Sequence, residues 1–223
     1  MHSMRSILLI PVLALATATT VSAQTAAQAR ETVPDERGYV SVHGGAVTGP
    51  AAAAFAVEWG EHMNRNTQAY VALSYFENLM KQPLRDDLAT LGTSLSALTG
   101  DSWTLSGRDR GVALVGGGKY LLGSGNVRPY LGGGAGIISL RRTVLEARLG
   151  DVRDAVFNDF SVGEIDLSLA PASLTRPLME AAFGVGIVSG NAYFDIGYRY
   201  RRAFRLANTL DFSQIAVGVG YKF

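Results

Sequence analysis

The end of the chain alternates strictly between large apolar side chains and small or polar ones. The odd positions are apolar throughout: Ile215, Val217, Val219, Tyr221 and Phe223. The even positions between them are alanine, glycine or polar residues. Successive side chains of a β-strand point to opposite faces, so this segment predicts a strand with one apolar face. A water-soluble sandwich would bury its bulky face and expose charged residues. The small opposite face favours the narrow lumen of a barrel whose bulky face meets lipid.

Two further strands are joined by Gly190-Asn191, a dipeptide typical of two-residue hairpin turns. If Ser189 pairs with Ala192, every apolar residue of one strand lies opposite an apolar residue of the other. The same register places Glu180 opposite Arg201 on the inner face. We therefore predict a cross-strand Glu180–Arg201 ion pair.

The turn cluster at 123–126 predicts another hairpin. We pair Leu122 with Val127, which places Lys119 opposite Tyr130 on the inner face. This pairing also sets the glycine triplets at 116–118 and 132–134 against each other. Glycines within strands mark bends or close approach, as a tightly curved barrel requires.

The two-residue period identifies eight strands, over residues 38–47, 52–61, 67–76, 106–122, 127–141, 178–189, 192–203 and 210–223. With the N-terminus in the periplasm, the short links at 62–66, 123–126 and 190–191 all lie on the periplasmic side. The two long loops, 77–105 and 142–177, then lie outside, which is the asymmetry of outer-membrane barrels. The predicted fold class is all-β: an eight-stranded antiparallel up-and-down transmembrane β-barrel with a short helix in an external loop.

That helix is predicted within loop 77–105 from leucines spaced alternately by four and three: Leu84, Leu88, Leu91, Leu95 and Leu98. Pro83 suits the first helical position. An amphipathic helix here would cap the barrel mouth or rest on the membrane surface, and ligand binding is the alternative. Loop 142–177 is rich in charge and its interior predicts no particular element.

The N-terminus predicts export. Arg5 precedes the apolar run 7–16, and Val21-Ser22-Ala23 places small residues where a signal peptidase reads them, so cleavage is expected before Gln24. An apolar run of about ten residues is too short for a transmembrane helix, which needs roughly 20. We expect a signal peptide over 1–23, a polar N-terminal tail over 24–37 and an outer-membrane β-barrel domain over 38–223.

Composition excludes several classes of protein. The chain has 20 lysines and arginines and 19 acidic residues, and loss of Arg5 with the signal makes them equal, so no nucleic-acid partner is indicated. It has no cysteine, which excludes disulfides and thiolate metal sites. Only His43 and His62 remain in the mature part, and no second histidine stands at metal-ligand spacing. Neither a metal nor another cofactor is expected.

The two-residue alternation places seven ionic residues on the inner face of the strands: Glu58, Lys119, Arg128, Glu180, Asp195, Arg199 and Arg201. Isolated charges in an eight-stranded lumen would be costly to desolvate, so we predict that they pair into a network. Two interpretations stay open, a structural plug of ion pairs and a narrow or gated ion path. Catalysis has little support, because Ser41 and His43 share a face but no local signature accompanies them.

Three segments together resemble the OmpA-like or opacity-type small outer-membrane barrels, a porin family with an outer membrane protein beta-barrel domain. They are Arg128-Pro129-Tyr130 running into LGGGAG, the sequence FDIGYRYRR at 194–202, and the terminal Val219-Gly220-Tyr221-Lys222-Phe223. The resemblance implies a protein of the Gram-negative outer membrane. It also implies that Tyr221 and Phe223 form the C-terminal signal that the barrel-assembly machinery recognises. The larger OmpA proteins carry a peptidoglycan-binding domain behind the barrel, and a cell-wall tether is not implied here.

We therefore expect a non-enzymatic integral outer-membrane protein with a side-chain-filled lumen and a structural and surface-interaction role through its external loops. Its expected partners are outer-membrane lipids, the barrel-assembly machinery and periplasmic chaperones during biogenesis, and a possible surface ligand. The first alternative is a small porin-like channel for ions or small solutes. The second is a lipid-modifying outer-membrane enzyme.

Overall fold

The computed structural model describes residues 38–49, 52–123, 125–146, 150–152, 173–204 and 209–223. The predicted signal peptide 1–23, its cleavage site and the tail 24–37 lie outside the described residues. The interior of loop 142–177, at 153–172, lies outside them as well.

Within these described residues, eight long strands and one two-residue strand make up a single sheet. The strands are β1 (Gly38–Thr48), β2 (Ala52–His62), β3 (Thr67–Phe76), β4 (Leu105–Leu121), β5 (Val127–Glu146), β6 (Gly150–Asp151), β7 (Ser173–Ser189), β8 (Ala192–Ala203) and β9 (Leu210–Lys222). Each long strand pairs antiparallel with its sequence neighbours, and β6 pairs only with the end of β5. Pairing of β1 with β9 closes the sheet. The predicted fold class, an eight-stranded antiparallel barrel, is confirmed.

The first and last described residues meet at the seam of the barrel. The amide of Gly38 donates to the carbonyl of Phe223 at 3.1 Å, and the amide of Phe223 donates back at 3.0 Å. We call this end, which also carries the links at 63–66, 122–126 and 190–191, the terminal end. The opposite end, which carries the helix between β3 and β4, is the helix end. A closed sheet has no unpaired edge along its length, so its backbone hydrogen bonds are satisfied internally.

The two faces of the sheet differ as the sequence alternation predicts. The odd residues from Ile215 to Tyr221 on β9, and Phe223 just after it, point outward and are 50–56% exposed. The even residues of the same strand from Phe212 to Ala216 are buried in the lumen. The same alternation holds in β2, where Phe55, Val57 and Trp59 point outward. The bulky apolar surface therefore faces out of the barrel.

The β7–β8 hairpin has the predicted register. Ser189 pairs with Ala192 and Glu180 pairs with Arg201. Gly190 has φ 56°, a left-handed value that glycine adopts without steric cost, so it suits this two-residue turn.

The predicted register of the β4–β5 hairpin is wrong by two residues. Leu122 was paired with Val127, but its amide donates to the carbonyl of Pro129 at 2.7 Å, and Lys119 pairs with Gly132 instead of Tyr130. Pro129 has no amide hydrogen to return to Leu122, so the regular ladder ends there and the turn widens. A shift of two preserves the face of every side chain, so the inward set is unchanged.

The helix α1 (Gln82–Thr99) forms where the leucine spacing predicts it. Pro83 lies in its first turn, and Gly100 ends it in a left-handed conformation. Leu88, Leu91 and Leu95 are buried, whereas Leu98 is 82% exposed and does not join the predicted apolar face. In the described part of the chain, no helix is long and apolar enough to cross a membrane.

The hairpin of β4 and β5 continues past the point where sequence analysis ended it. Residues 142–146, assigned to a loop, extend β5, and residues 173–177 begin β7. The extension exists because α1 packs against it. A helix cluster joins the two: Met80, Leu88, Leu91, Leu95, Leu105, Val144 and Val152. Arg142 and Asp109 add a two-point ion pair across the hairpin, at 2.7 and 2.6 Å.

Candidate functional site: the ionic lumen

The lumen holds six of the seven predicted ionic residues in one buried group. This lumen charge network consists of Glu58 on β2, Lys119 on β4, Glu180 on β7, and Asp195, Arg199 and Arg201 on β8. All six are buried. Three cations face three carboxylates, so the network can be neutral overall. A balanced set is what a packed interior needs, because an unmatched charge there would be costly.

Glu58 accepts three side-chain hydrogen bonds in the lumen. Its Oε1 accepts from the hydroxyl of Tyr39 at 2.6 Å and from Nζ of Lys119 at 2.5 Å. Its Oε2 accepts from Nη2 of Arg199 at 2.7 Å. One carboxylate therefore neutralises two cations that come from different strands, and it joins β2 to β4 and β8 through the lumen.

Glu180 repeats this arrangement toward the helix end. It accepts from Nε of Arg201 at 2.5 Å and from the hydroxyl of Tyr70 at 2.8 Å, and Nη1 of Arg199 lies 3.8 Å away. The predicted cross-strand Glu180–Arg201 pair is present in the structure. Arg201 also donates to Oε1 of Gln214 at 2.7 Å, which satisfies a second nitrogen of its guanidinium.

Asp195 is bound by tyrosines. It accepts from the hydroxyls of Tyr130 at 3.1 Å and Tyr193 at 2.9 Å. Nδ1 of His43 lies 3.9 Å from it, which is too long for a hydrogen bond. All three carboxylates of the network thus receive at least one tyrosine hydroxyl, which supplies hydrogen bonds that cations alone would leave unmade.

Tyrosine rings also surround Lys119. Its Nζ lies 5.5 Å from the ring centre of Tyr39, 5.4 Å from that of Tyr70 and 4.8 Å from that of Tyr130. An ammonium group over the face of an aromatic ring is attracted to it, and the attraction grows when water is excluded. The three rings therefore add an attraction for the ammonium group to the ion pair that Lys119 makes with Glu58.

Sequence analysis placed Tyr130 on the inner face but gave none of these tyrosines a part in the network, because it sought only ionic residues. The signal was available, since Tyr39, Tyr70, Tyr130 and Tyr193 all have the inward parity of their strands. A large phenol on an otherwise small or polar face is a candidate hydrogen-bond donor to a buried carboxylate.

Arg128 is the one predicted member that the structure does not bring to the others. It is half-buried near the terminal end, where its Nε donates to the carbonyl of Gly125 at 2.8 Å. It lies on the inner side of β5, as predicted. It precedes Tyr130 by two residues, however, and so lies beyond the last residue pair between β4 and β5. It lines a shallow pocket there with His62 and Lys222.

The helix end of the lumen is closed by apolar side chains. This helix-end plug has six large members: Val47, Phe76, Leu79, Ile138, Leu178 and Phe212. Phe76 and Phe212 meet edge to face, with ring centres 5.1 Å apart. The ionic network therefore lies between an apolar closure at one end and the pocket of Arg128 at the other.

Ser41 and His43 form a hydrogen-bonded pair inside the lumen. Oγ of Ser41 is 2.8 Å from Nε2 of His43, as in a hydrolase, but the carboxylate of Asp195 stands off by 3.9 Å. Ser41 and His43 are only 2 and 3% exposed, so the pair is enclosed in the lumen. Over the described ranges, no group of three His, Cys, Asp or Glu side chains could hold a metal ion.

The fold is shared with solved bacterial outer-membrane barrels. Neisserial surface protein A has a TM-score of 0.50 at 15% identity, over 83% of this chain and 96% of that chain. The attachment invasion locus protein Ail of Yersinia pestis has a TM-score of 0.47 at 11% identity, over 84% and 99%. The N-terminal barrel domain of Pseudomonas aeruginosa OprF has a TM-score of 0.44 at 10% identity, over 84% and 98%. No family model and no curated protein matches the sequence.

Proposed function

We propose that this chain is an integral protein of the bacterial outer membrane, with a side-chain-filled lumen and a structural and surface-interaction role without catalysis. The observation that carries the proposal is the apolar outer face. Large hydrophobic side chains are exposed on all eight long strands, among them Val42, Trp59, Leu73 and Val217. A continuous apolar surface of this kind is unstable in water and marks contact with another apolar phase.

The height of the apolar face suits a bilayer. Along β9 and the residue that follows it, the outward residues run from Ile215 to Phe223, eight steps along the chain. At ~3.3 Å per step this is about 26 Å along the strand, or about 20 Å along the barrel axis for a tilt of ~40°. The apolar band of outer-membrane barrels is about 25 Å tall, so the two heights are comparable.

The finer assignment, to the OmpA-like or opacity-type barrels, rests on the sequence resemblance. Under it, residues 1–23 are a cleaved signal peptide that directs export. Tyr221 and Phe223 form the C-terminal signal for the barrel-assembly machinery, after escort by periplasmic chaperones. Both side chains lie on the outer face, which is compatible with recognition of this strand before the barrel closes.

The surface role is assigned to the external loops. The segment from Glu77 to Thr104 carries α1, which the helix cluster anchors to the extended β4–β5 hairpin. A loop that is held rigidly pays less ordering entropy when it meets a partner. The segment at 153–172 is the second candidate surface and belongs to the proposal on sequence grounds alone.

Fractionation with gel migration tests the proposal. We expect the protein in the outer-membrane fraction, with one mobility in unheated detergent and a different one after boiling, because a folded barrel resists the detergent. Recovery from the periplasm as a water-soluble protein with a single mobility would contradict it.

The charges of the lumen favour a second candidate function, a narrow ion path. The helix-end plug opposes it, because six large apolar side chains fill the mouth that an ion would have to cross. We expect only rare, small conductance events in a planar bilayer. Steady conductance that scales with salt would make the channel the better assignment.

The enclosed Ser41–His43 pair makes a lipid hydrolase the third candidate. Refolded protein incubated with outer-membrane lipids should leave them unchanged, and His43→Ala should behave as the unmodified chain does. Lipid cleavage that His43→Ala abolishes would overturn the non-enzymatic proposal.

A further inference from the structure

Two arginines face each other on the outside of the barrel at the helix end. Arg110 on β4 and Arg141 on β5 are direct partners in the β4–β5 ladder, and both are exposed. Like charges directly opposite each other across two strands repel and destabilise the pair. In the described part of the chain, neither guanidinium has an ion pair or a hydrogen bond that would offset the repulsion. An anion between them would remove this repulsion.

A third arginine and one acid border this pair. Arg108, two residues along β4, points to the same face, and its Nη2 lies 3.8 Å from Oε1 of Glu77. That carboxylate neutralises one of the three arginines. The other acid in this part of the hairpin, Asp109, points inward and is bound by Arg142. Among the described residues, a net positive charge therefore remains at Arg110 and Arg141.

The position of the pair relative to the apolar face identifies the kind of anion. Val112 is the next outward residue of β4 below Arg110, and Ile137 lies four residues below Arg141 on β5. Both are about half exposed on the apolar surface. Two residues correspond to about 7 Å along a strand and four to about 13 Å, so the guanidinium groups stand just beyond the rim of the apolar band. Under the proposed membrane location, this is the level of the lipid headgroups.

We propose that Arg110 and Arg141 form a binding site for the phosphate of a lipid headgroup in the outer leaflet. A phosphate oxygen can accept from both guanidinium groups at once, and such charge-assisted hydrogen bonds are stronger than neutral ones. The inference rests on the proposed function, because only a barrel embedded in a membrane brings headgroups to this level.

The same end of the barrel offers a matched control. Arg202 on β8 is also an outward arginine, and its Nε lies 3.1 Å from Oδ1 of Asp211. Its charge is already paired within the protein. Replacing Arg202 therefore removes an arginine side chain and its positive charge, as replacing Arg110 or Arg141 does. The charge removed is in this case one that Asp211 already neutralises.

The test measures binding of lipid A, a bisphosphorylated lipid, to the refolded full chain in micelles of a maltoside detergent, which carries no phosphate. We expect Arg110→Gln and Arg141→Gln each to weaken binding about fivefold and the double variant about 25-fold. Arg202→Gln should bind as the unmodified chain does. The unmodified chain should bind dephosphorylated lipid A no more tightly than the double variant binds phosphorylated lipid A. Equal binding by the double variant and the unmodified chain would overturn the site.

A stability measurement separates a binding role from a structural one. Without anionic lipid, the double variant should be at least as resistant to urea as the unmodified chain, because the repulsion is gone. With lipid A, the unmodified chain should become the more resistant of the two. A double variant that is less stable under both conditions would assign the arginines a structural role and contradict the site.

Two further outcomes separate the sources of failure. If inorganic phosphate competes with lipid A when both are present at equal concentrations, the site binds phosphate in general, and the assignment to a lipid headgroup is overturned. If the protein is absent from the outer-membrane fraction, the proposed function fails. If the folded barrel is in that fraction but binds lipid A equally well after both arginines are replaced, this inference alone is refuted.

Discussion

Removal of the charge on Glu58 is the most informative single perturbation of the lumen. In Glu58→Gln the side chain keeps its shape and can still accept the hydrogen bond from Tyr39. It no longer neutralises Lys119 and Arg199, which lie 2.5 and 2.7 Å away. Arg199 keeps a distant contact with Glu180 at 3.8 Å, but Glu58 is the carboxylate that Lys119 contacts. Breaking a buried ion pair by removing one partner typically costs 3–5 kcal/mol, so we expect a loss of about 4 kcal/mol in the free energy of unfolding.

The assay is urea unfolding in lipid vesicles, followed by the fraction of chain that runs as the compact unheated band. Glu61→Gln is the control, because Glu61 lies on the same strand but is exposed. It should change the free energy of unfolding by less than about 0.5 kcal/mol. Adding Lys119→Met to Glu58→Gln should recover part of the loss, since one of the two unmatched cations is then gone. A loss below about 1 kcal/mol for Glu58→Gln would show that water solvates the cations, and the description of a filled lumen would be wrong.

Three further predictions concern packing, the helix end and the lumen. Gly218→Ala would place a methyl group 2.4 Å from Nδ1 of His43, whereas Gly44→Ala meets nothing within 4 Å, so only the first should lower resistance to urea, by about 2 kcal/mol. Equal effects of these two variants would contradict the packing of the lumen. Arg142→Met leaves Asp109 without its two-point partner, so protease cleavage between β3 and β4 should rise about 30-fold while the compact band persists. Cleavage at the original rate would show that the pair does not hold the extension. In planar bilayers the unmodified protein should conduct less often than a variant with Phe212→Ser in the helix-end plug, and equal conductance would mean that the plug is not the barrier.

The strands and the closure of the barrel could be predicted from alternation alone, because lipid outside and a narrow lumen inside impose opposite demands on successive residues. Strand bounds agree to within a residue or two wherever both faces obey that rule. It fails at the helix end, where inward residues such as Phe76 and Phe212 are apolar. These side chains pack against one another in the helix-end plug, so water does not reach them. This change of environment comes from packing between segments far apart in sequence.

The ionic residues of the lumen could be predicted as a set, because parity fixes the face of each side chain. Their partners could not, apart from Glu180 with Arg201, because depth along the lumen depends on strand stagger. Arg128 lies on the inner side of its strand, as predicted, but it lies near the terminal end and away from the other ionic residues. Glu58 and Arg199 come from strands that are not neighbours, and only the closed barrel brings them within 2.7 Å.

A nitroxide scan along β9 is the most direct test of the central claim, that bulky residues meet lipid while ionic and small ones fill the lumen. The chain has no cysteine, so each single-cysteine variant carries one label at one place. In lipid vesicles, labels at Ile215, Val217 and Val219 should collide often with dissolved oxygen and rarely with a polar nickel complex. Labels at Gln214 and Ala216 should be shielded from oxygen, which gives a two-residue period. Labels at Val217 and Val219 that are shielded from oxygen, or a profile without that period, would contradict the account.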